Sequence, residues 1–387
     1  MNVQSCVFAQ LLSFVPLKHF EYLTRKYGAN HGTHSFTAWS HFVAMSYAQF
    51  TRRDGLRDLV ACLNSQHSKL YALGLRQKLS RSTLANAAER RDWRLFEALG
   101  QRLITQALAL HSNDSLALGL KEPLYAMDST VIDLCLSLFA WADYKSTKAA
   151  VKAHTIIDLR GAIPVFLCIT TGKTGDSTVL DQVTLPSGAI VVLDRGYIDF
   201  KRLFGLVQRG CSFVVRSRQD LHYSCSQAHD VNIKSGVLRD QTIGLVNHSS
   251  KAGYPQALRR IRFYDRESGL QLIFLTNRFD LPAATIAAIY KQRWQIELFF
   301  KWLKQNLCIK HFYGNSLNAV KSQIWIAVCV YLLALIARKQ LALDLPLQLF
   351  LQLVEVNMFE RISLHQIVQN ALPDLQDRQL SSQIDLF

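Results

Sequence analysis

The chain has 387 residues, 49% of them hydrophobic, with 44 Lys and Arg against 29 Asp and Glu and a formal charge of +15. That composition excludes a globally disordered chain, and it allows two or three domains with substantial cores. The positive balance favours a polyanionic partner, nucleic acid first, because Lys and Arg on phosphates release counterions; a ribosomal or membrane-surface role fits the same charge.

Residues 1 to about 115 read as helical, from the 3.6-type spacing in FAQLLSFVPLKHFEYL and HFVAMSYAQF. The N-terminal stretch has no basic start ahead of its apolar residues, so it reads poorly as a signal peptide. SRSTLANAAERRDWRLFEAL offers Ser or Thr caps and then a helix exposing Asn86, Arg90, Arg91 and Arg94. With ALGLRQ as the turn before it, this region is a candidate helix-turn-helix; the alternative is a solvated basic helix.

From about residue 122 the texture changes to strands rich in Val and Ile. LYAMDSTVIDLCLSLF, VKAHTIIDLRGAIPVFLCIT and GAIVVLDRGYI are followed by a helix, DFKRLFGLVQRG, and a further strand, CSFVVRSR. This order implies an α/β core with a mixed sheet. A second β-rich piece lies at about 219–280, with RRIRFYDRESGLQLIFLTNRF as a hairpin around Glu267, Ser268 and Gly269. Helical sequence then runs to the end. IWIAVCVYLLALIA, Ile324 to Ala337, is shorter than the roughly 20 residues a membrane span needs and reads as a buried helix. The eight Cys form no Cys-x-x-Cys pair and sit mostly in apolar runs, the pattern of buried reduced thiols in a cytosolic protein. No Gly-rich phosphate loop is present, so a nucleotide cofactor has no support.

Chemistry enters with acids in apolar surroundings. YKQRWQIELFFKWLKQ, Tyr290 to Gln305, reads as one helix whose Tyr290, Arg293, Glu297 and Lys304, with Lys301, fill a sector of roughly 80°. Ile296, Phe299, Phe300, Leu303 and Leu307 wall one side of this stripe and Trp294, Leu298 and Trp302 the other. A carboxylate between apolar walls needs a cation or a metal. Asp128 in LYAMDST and Asp194 in IVVLDRGY interrupt strands, where Asp is disfavoured. Three carboxylates from two strands and a helix suit two hard cations, which activate a nucleophile and stabilise a leaving oxygen in phosphodiester chemistry.

YAMDST, VVLDRGY and the Y-x2-R-x3-E-x6-K spacing of Tyr290, Arg293, Glu297 and Lys304 together resemble the DDE transposases of bacterial insertion sequences. The narrower likeness is to the "insertion sequence four" family. TGKTGDSTVLD and FVVRSR resemble further family segments, and the likeness covers about residues 5–335.

The resemblance implies a ribonuclease-H-like mixed-sheet core, residues 116–340, with its β-rich insertion. A helical DNA-end-binding domain, 1–115, precedes it and a helical tail, 341–387, comes after it. Asp128, Asp194 and Glu297 would hold two Mg²⁺ ions, with Mn²⁺ as a substitute, and Tyr290, Arg293 and Lys304 would grip phosphates. Arg216 and Arg218 reach DNA if the insertion flanks the site, and are a solvated strand edge otherwise. The implied partners are double-stranded DNA, as terminal inverted repeats and target, and a second copy of the chain in the synaptic complex. The implied setting is the bacterial cytoplasm, with no membrane. The rival readings are a stand-alone Mg²⁺ nuclease and a non-catalytic DNA-binding repressor.

Two departures stand out. Gly175 replaces the family's usual His before Asp176. No Trp lies in the insertion to stack on a flipped base, which leaves Tyr223, Tyr254 or Phe213 as stacking surfaces. His154, Asp133 and Asp158 read as core or strand-end residues.

Overall fold

The computed structural model describes residues 5–33, 35–53, 55–116, 118–135, 137–145, 148–306 and 312–371. The chain opens with helices α1 (Val7–Leu12), α2 (Leu17–Lys26), α3 (Ala38–Thr51), α4 (Leu56–Ser65), α5 (His67–Leu70), α6 (Arg81–Arg90) and α7 (Arg94–Leu110). Strands β1 (Leu124–Leu134), β2 (Asp143–Lys145), β3 (Lys148–Asp158), β4 (Ile163–Thr171) and β5 (Ile190–Leu193) come after them. Next are α8 (Phe200–Gln208), β6 (Ser212–Arg216), β7 (Tyr223–His229), β8 (Val237–Leu245), α9 (His248–Gly253), β9 (Leu258–Asp265) and β10 (Leu270–Thr276). The last described elements are α10 (Ala283–Lys291), α11 (Trp294–Asn306), α12 (Leu317–Gln340) and α13 (Leu347–Val356).

The chain forms two compact units, one of residues 1–112 with 302–387 and one of residues 113–301. In the first, α12 is the central helix and packs on α1, α3, α6, α7 and α13. It is long and apolar enough to cross a membrane by length and composition, and it is a core helix here, with Ile324 to Ala337 all buried. It extends beyond that run because Ser316 caps its start, its hydroxyl accepting the Ala319 amide at 3.1 Å. Thr37 caps α3 in the same way and Ser80 caps α6. Residues 372–387 of the expected helical tail lie outside the described residues.

The expected helix over SRSTLANAAERRDWRLFEAL is two helices, broken between Arg90 and Arg94. Asn86, Arg90 and Arg94 are exposed, but Arg91 is buried. Its guanidinium donates to the Ala29 and Phe36 carbonyls at 2.9 and 2.8 Å, so it ties a loop rather than facing solvent.

The second unit is built on one ten-stranded sheet. Strands β4, β3 and β1 pair antiparallel, and β1, β5 and β6 pair parallel, giving the order β4–β3–β1–β5–β6. This is the ribonuclease-H-like arrangement expected from the sequence. The β-rich insertion continues the same sheet: β10 pairs with β6, and β9, β8 and β7 extend it antiparallel. The β9–β10 hairpin pairs Leu270 with Asp265, and Gly269 takes the left-handed φ of 67° that its turn requires. The expectation for the thiols changes: Cys211 and Cys329 are buried, whereas Cys135 and Cys225 are exposed and Cys6, Cys62 and Cys168 are intermediate.

Candidate active site

Register brings the first two acids together. Met127 on β1 pairs with Leu193 on β5 in the parallel ladder, so Asp128 and Asp194 are the next residues on neighbouring strands. Asp128 lies inside β1, opposite Thr155 of β3, because β1 runs on beyond β5. Asp194 is not mid-strand: β5 ends at Leu193, and Asp194 opens a single 3₁₀ turn, Arg195–Tyr197. Ligand and catalytic groups of open α/β sheets collect at such carboxyl ends of parallel strands.

The third acid comes from the helical side, and its local structure corrects the single-helix expectation. The chain between α10 and α11 is tightened at Gln292 and Arg293, where Arg293 N–H bonds the Tyr290 carbonyl and Ile296 N–H the Arg293 carbonyl. These are three-residue steps, so a uniform 100° wheel misplaces the residues beyond them. Ile296, Phe299, Phe300, Trp302 and Leu303 are buried, but Trp294 and Leu298 are 49% and 47% exposed. Of the second expected wall only Trp302 is buried, while Trp294 and Leu298 face solvent, and the Glu297 side chain is 58% exposed.

Arg293 links the acids. One guanidinium nitrogen donates to Asp128 Oδ2 at 3.0 Å and another to Glu297 Oε1 at 2.6 Å. The Tyr290 hydroxyl donates to Asp194 Oδ1 at 3.3 Å, a long bond, and its ring packs on Phe274 with centroids 4.7 Å apart. Burial pushes the Tyr290 phenol up to about 12. Burial also pushes the Asp128 carboxyl up to about 6; the Ser129 amide and Arg293 pull it down, and Asp194 and Glu297 push it further up. Burial, the largest of these effects, outweighs the pull of the amide and the arginine.

Of the other expected residues, Lys301 and Lys304 are exposed on α11, one and two turns beyond Glu297. Arg216 and Arg218 line a pocket of about 520 Å³ with Arg195, Ser217 and Gln271. Arg216 also borders a second pocket of about 780 Å³, which Tyr290, Arg293, Trp294 and Glu297 line. Among the stacking candidates, Phe213 and Tyr254 are fully buried, Tyr254 edge-on to Phe204 and Phe213. Only Tyr223 of the three is partly exposed, with the Arg260 guanidinium 4.7 Å from its ring centre. Asp158 is a buried strand-end residue paired with Arg160.

Sequence reasoning left Asp176 without a role and passed over Ser129 and Lys152. Asp176 Oδ1 accepts the Ser129 hydroxyl at 2.6 Å, and Lys152 Nζ lies 3.2 Å from the same oxygen. His154 is fully buried, its Nε2 3.0 Å from the Thr170 hydroxyl, and burial pulls its imidazole down to about 4. Burial raises the Tyr197 phenol, and Asp176, Asp128 and Asp194 raise it further, so these three acids share one neighbourhood. A signal was present: Lys152 and His154 lie two apart on one face of β3, and His154 pairs with Ser129 in register.

The donor set fits a divalent hard cation in kind, being carboxylate oxygens from three separate elements. Among the described residues, no group of three or more His, Cys, Asp and Glu side chains is arranged to hold a metal ion. The positive charge between Asp128 and Glu297 is the Arg293 guanidinium.

Comparison with known proteins agrees with this geometry. Residues 119–333, more than half of the chain, match the family described as "Transposase DDE domain". Residues 3–76 match a domain of unknown function, DUF4372. The chain is 32% identical over 239 residues to a Sinorhizobium fredii protein named as a putative transposase, y4zB, covering 61% of this chain and 66% of that one. It is 31% identical to a Geobacillus stearothermophilus protein named as a transposase for the insertion sequence element IS5377, covering 56% and 57% respectively. A Synechocystis protein named as a transposase for the element IS4SA is 24% identical, over 70% of this chain and 75% of its own length. The matched stretch thus spans less than two thirds of the first two relatives. With the family match spanning all three acids, the chain belongs to the transposase DDE domain family.

Proposed function

We propose that the chain is a DNA transposase. On this reading it binds the terminal inverted repeats of an insertion sequence, pairs two ends as a homodimer, excises them and joins their 3′-hydroxyls to target DNA. The observation that carries this reading is the register of β1 and β5, which sets Asp128 and Asp194 side by side, with Arg293 joining Asp128 to Glu297. Asp128, Asp194 and Glu297 would hold the Mg²⁺ ions, or Mn²⁺ in their place. Two such ions, when bound, activate the attacking oxygen and stabilise the leaving one.

The chain's own groups supply the rest. Arg293 has a forked donor that suits a phosphate as well as a carboxylate, and its two carboxylate partners keep it beside the acids. The Tyr290 hydroxyl orients Asp194. Arg216 and Arg218, with exposed Lys301 and Lys304, supply positive charge for the backbone of a DNA strand. The exposed Asn86, Arg90 and Arg94, the last paired with Asp92, are the DNA-contact candidates among the N-terminal helices. Such an enzyme works on the nucleoid in the bacterial cytoplasm.

The test is incubation of the full chain with Mg²⁺ and DNA carrying its element's ends, then mapping of cut positions and joined products. Cleavage at the ends with strand joining is expected. Cleavage without joining would make the chain a stand-alone nuclease, and end binding without either would make it a repressor.

A further inference from the structure

Asp176 lies outside the acid triad, in the connection between β4 and β5, yet it reaches both β1 and the turn that follows β5. It begins a 3₁₀ segment, Asp176–Gln182, that is anchored by the buried Val179 and Leu180. A Cβ placed on Gly196, two residues after Asp194, would sit 3.7 Å from Asp176 Oδ2. On β1, Asp176 Oδ1 takes the Ser129 hydroxyl at 2.6 Å, the short distance of a charge-assisted bond. The Ser129 amide in turn donates to Asp128 Oδ1 at 2.8 Å. That bond leaves Asp128 Oδ2 as the oxygen Arg293 takes.

We propose that Asp176 is a positioning residue which, through Ser129, holds the Asp128 carboxylate in the orientation that binds a divalent cation. The inference rests on the metal-dependent reading of the site. The physical case is rotational: a carboxylate on a strand turns about its side-chain torsions, and a fixed neighbouring amide selects one orientation. Ser129 fixes its amide best when its own side chain is tied, and Asp176 is the tie. Lys152 places a countercharge on the same Asp176 oxygen.

A structural role competes, in which Asp176 simply pairs with Lys152 and links the segment after β4 to β3. The two differ in which contact matters. Ser129→Ala and Asp176→Ala break the Ser129 link, Lys152→Met breaks the ion pair and the Lys152 bond to the Thr174 carbonyl but spares the Ser129 link, and Ser129→Thr keeps the hydroxyl. The measurement is Mn²⁺ affinity of the full chain, alone and with end DNA, from the electron paramagnetic resonance signal of free Mn²⁺. Thermal melting in chelator and Asp128→Asn serve as controls.

The expected result is a rise of about tenfold in the Mn²⁺ dissociation constant for Ser129→Ala and Asp176→Ala, the usual scale for removing a residue that orients a ligand. Ser129→Thr and Lys152→Met should stay near wild type. If Lys152→Met matches Asp176→Ala while Ser129→Ala binds like wild type, Asp176 is a structural ion-pair partner and the proposal is overturned. If Ser129→Ala and Asp176→Ala melt and bind as wild type does, it is overturned as well. If Asp128→Asn leaves Mn²⁺ binding unchanged, the metal reading itself has failed, an outcome distinct from failure of the Asp176 link alone.

Discussion

Arg293 donates to Asp128 at 3.0 Å across 165 positions of sequence, and this bond holds a cation from the α10–α11 junction over a strand-borne acid. The two side chains are 17% and 22% exposed, so neither is well hydrated. Removing one member of a fully buried pair costs about 3–5 kcal/mol; here partial exposure, and an exposed Glu297 that water can serve, reduce that to about 1–3 kcal/mol. Arg293→Ala is therefore expected to lower the melting temperature at neutral pH, whereas Lys304→Ala, exposed on α11, is expected to leave it near wild type. Equal melting of Arg293→Ala and wild type at neutral pH would remove Arg293's structural share.

The same pair sets a pH signature. The folded Asp128 carboxyl is raised from its ordinary value of 3.8 to about 6, first by burial. A raised acid favours folding in its protonated form, so its contribution is full below the unfolded value and is lost as pH rises through about 6. Loss of Arg293 removes a group that pulls Asp128 down and so strengthens this trend. The melting deficit of Arg293→Ala should be small at about pH 4 and widen above about pH 6. A deficit independent of pH would assign the loss to Glu297 or to packing.

Asp128→Asn, Asp194→Asn and Glu297→Gln are each expected to lower cleavage of end DNA by about 10²–10³-fold, the scale of losing one preorganised electrostatic group. End binding should survive, because these acids repel phosphates rather than hold them. A residue whose variant keeps near wild-type cleavage in Mg²⁺ does not belong to the site.

The acid-bearing strands were legible because Val- and Ile-rich runs are local signals, whereas their pairing register was not. Val- and Ile-rich runs around Asp128 and Asp194 mark β1 and β5, and their side-by-side placement needs only a parallel pairing of those runs. The burial around Glu297 was not legible. A helical wheel gives angles within one helix but not what covers each face: Trp294 and Leu298 of α11 meet solvent, and the three-residue bonds at Gln292 and Arg293 shift Tyr290 relative to Glu297. Arg91 failed for a different reason. Its chemistry suits a DNA contact, and only the fold reveals that the Ala29 and Phe36 carbonyls have claimed it. The Asp176 link was hidden because it joins residues 47 positions apart through a serine that looks ordinary in sequence.

In the first unit, two helices approach closely at Gly100 on α7. A Cβ there would lie 2.9 Å from the Trp325 ring of α12, a ring that is 1% exposed and has no room to yield. Gly100→Ala gains about 1 kcal/mol of helix propensity but overpacks a core at a cost of about 1–3 kcal/mol. Because the neighbour is a buried indole and not a flexible chain end, the clash should win, and the variant should melt below wild type. Melting at or above wild type would mean that the α7–α12 packing yields at this point.

The last prediction concerns sequence reading by the N-terminal helices. Deleting them up to Lys121 would be a poor test, because residues 302–387 belong to the same compact unit and the buried face of α12 would lose its partners α3 and α7. Point changes at exposed positions avoid this. Arg90→Ala and Arg94→Ala, if they touch phosphates, should weaken binding to cognate and scrambled ends alike and each reduce the salt slope by about 1. Asn86→Ala, if it reads a base edge, should cost about 1–3 kcal/mol on cognate ends only. Arg91→Ala is the contrasting control: it should lower the melting temperature by freeing the loop that it ties, and not act through DNA. Binding assays on both DNAs across a salt series, paired with melting curves, separate these three behaviours. Unchanged discrimination in Asn86→Ala, with unchanged salt slopes in Arg90→Ala and Arg94→Ala, would move the reader of the element's ends away from α6 and the start of α7.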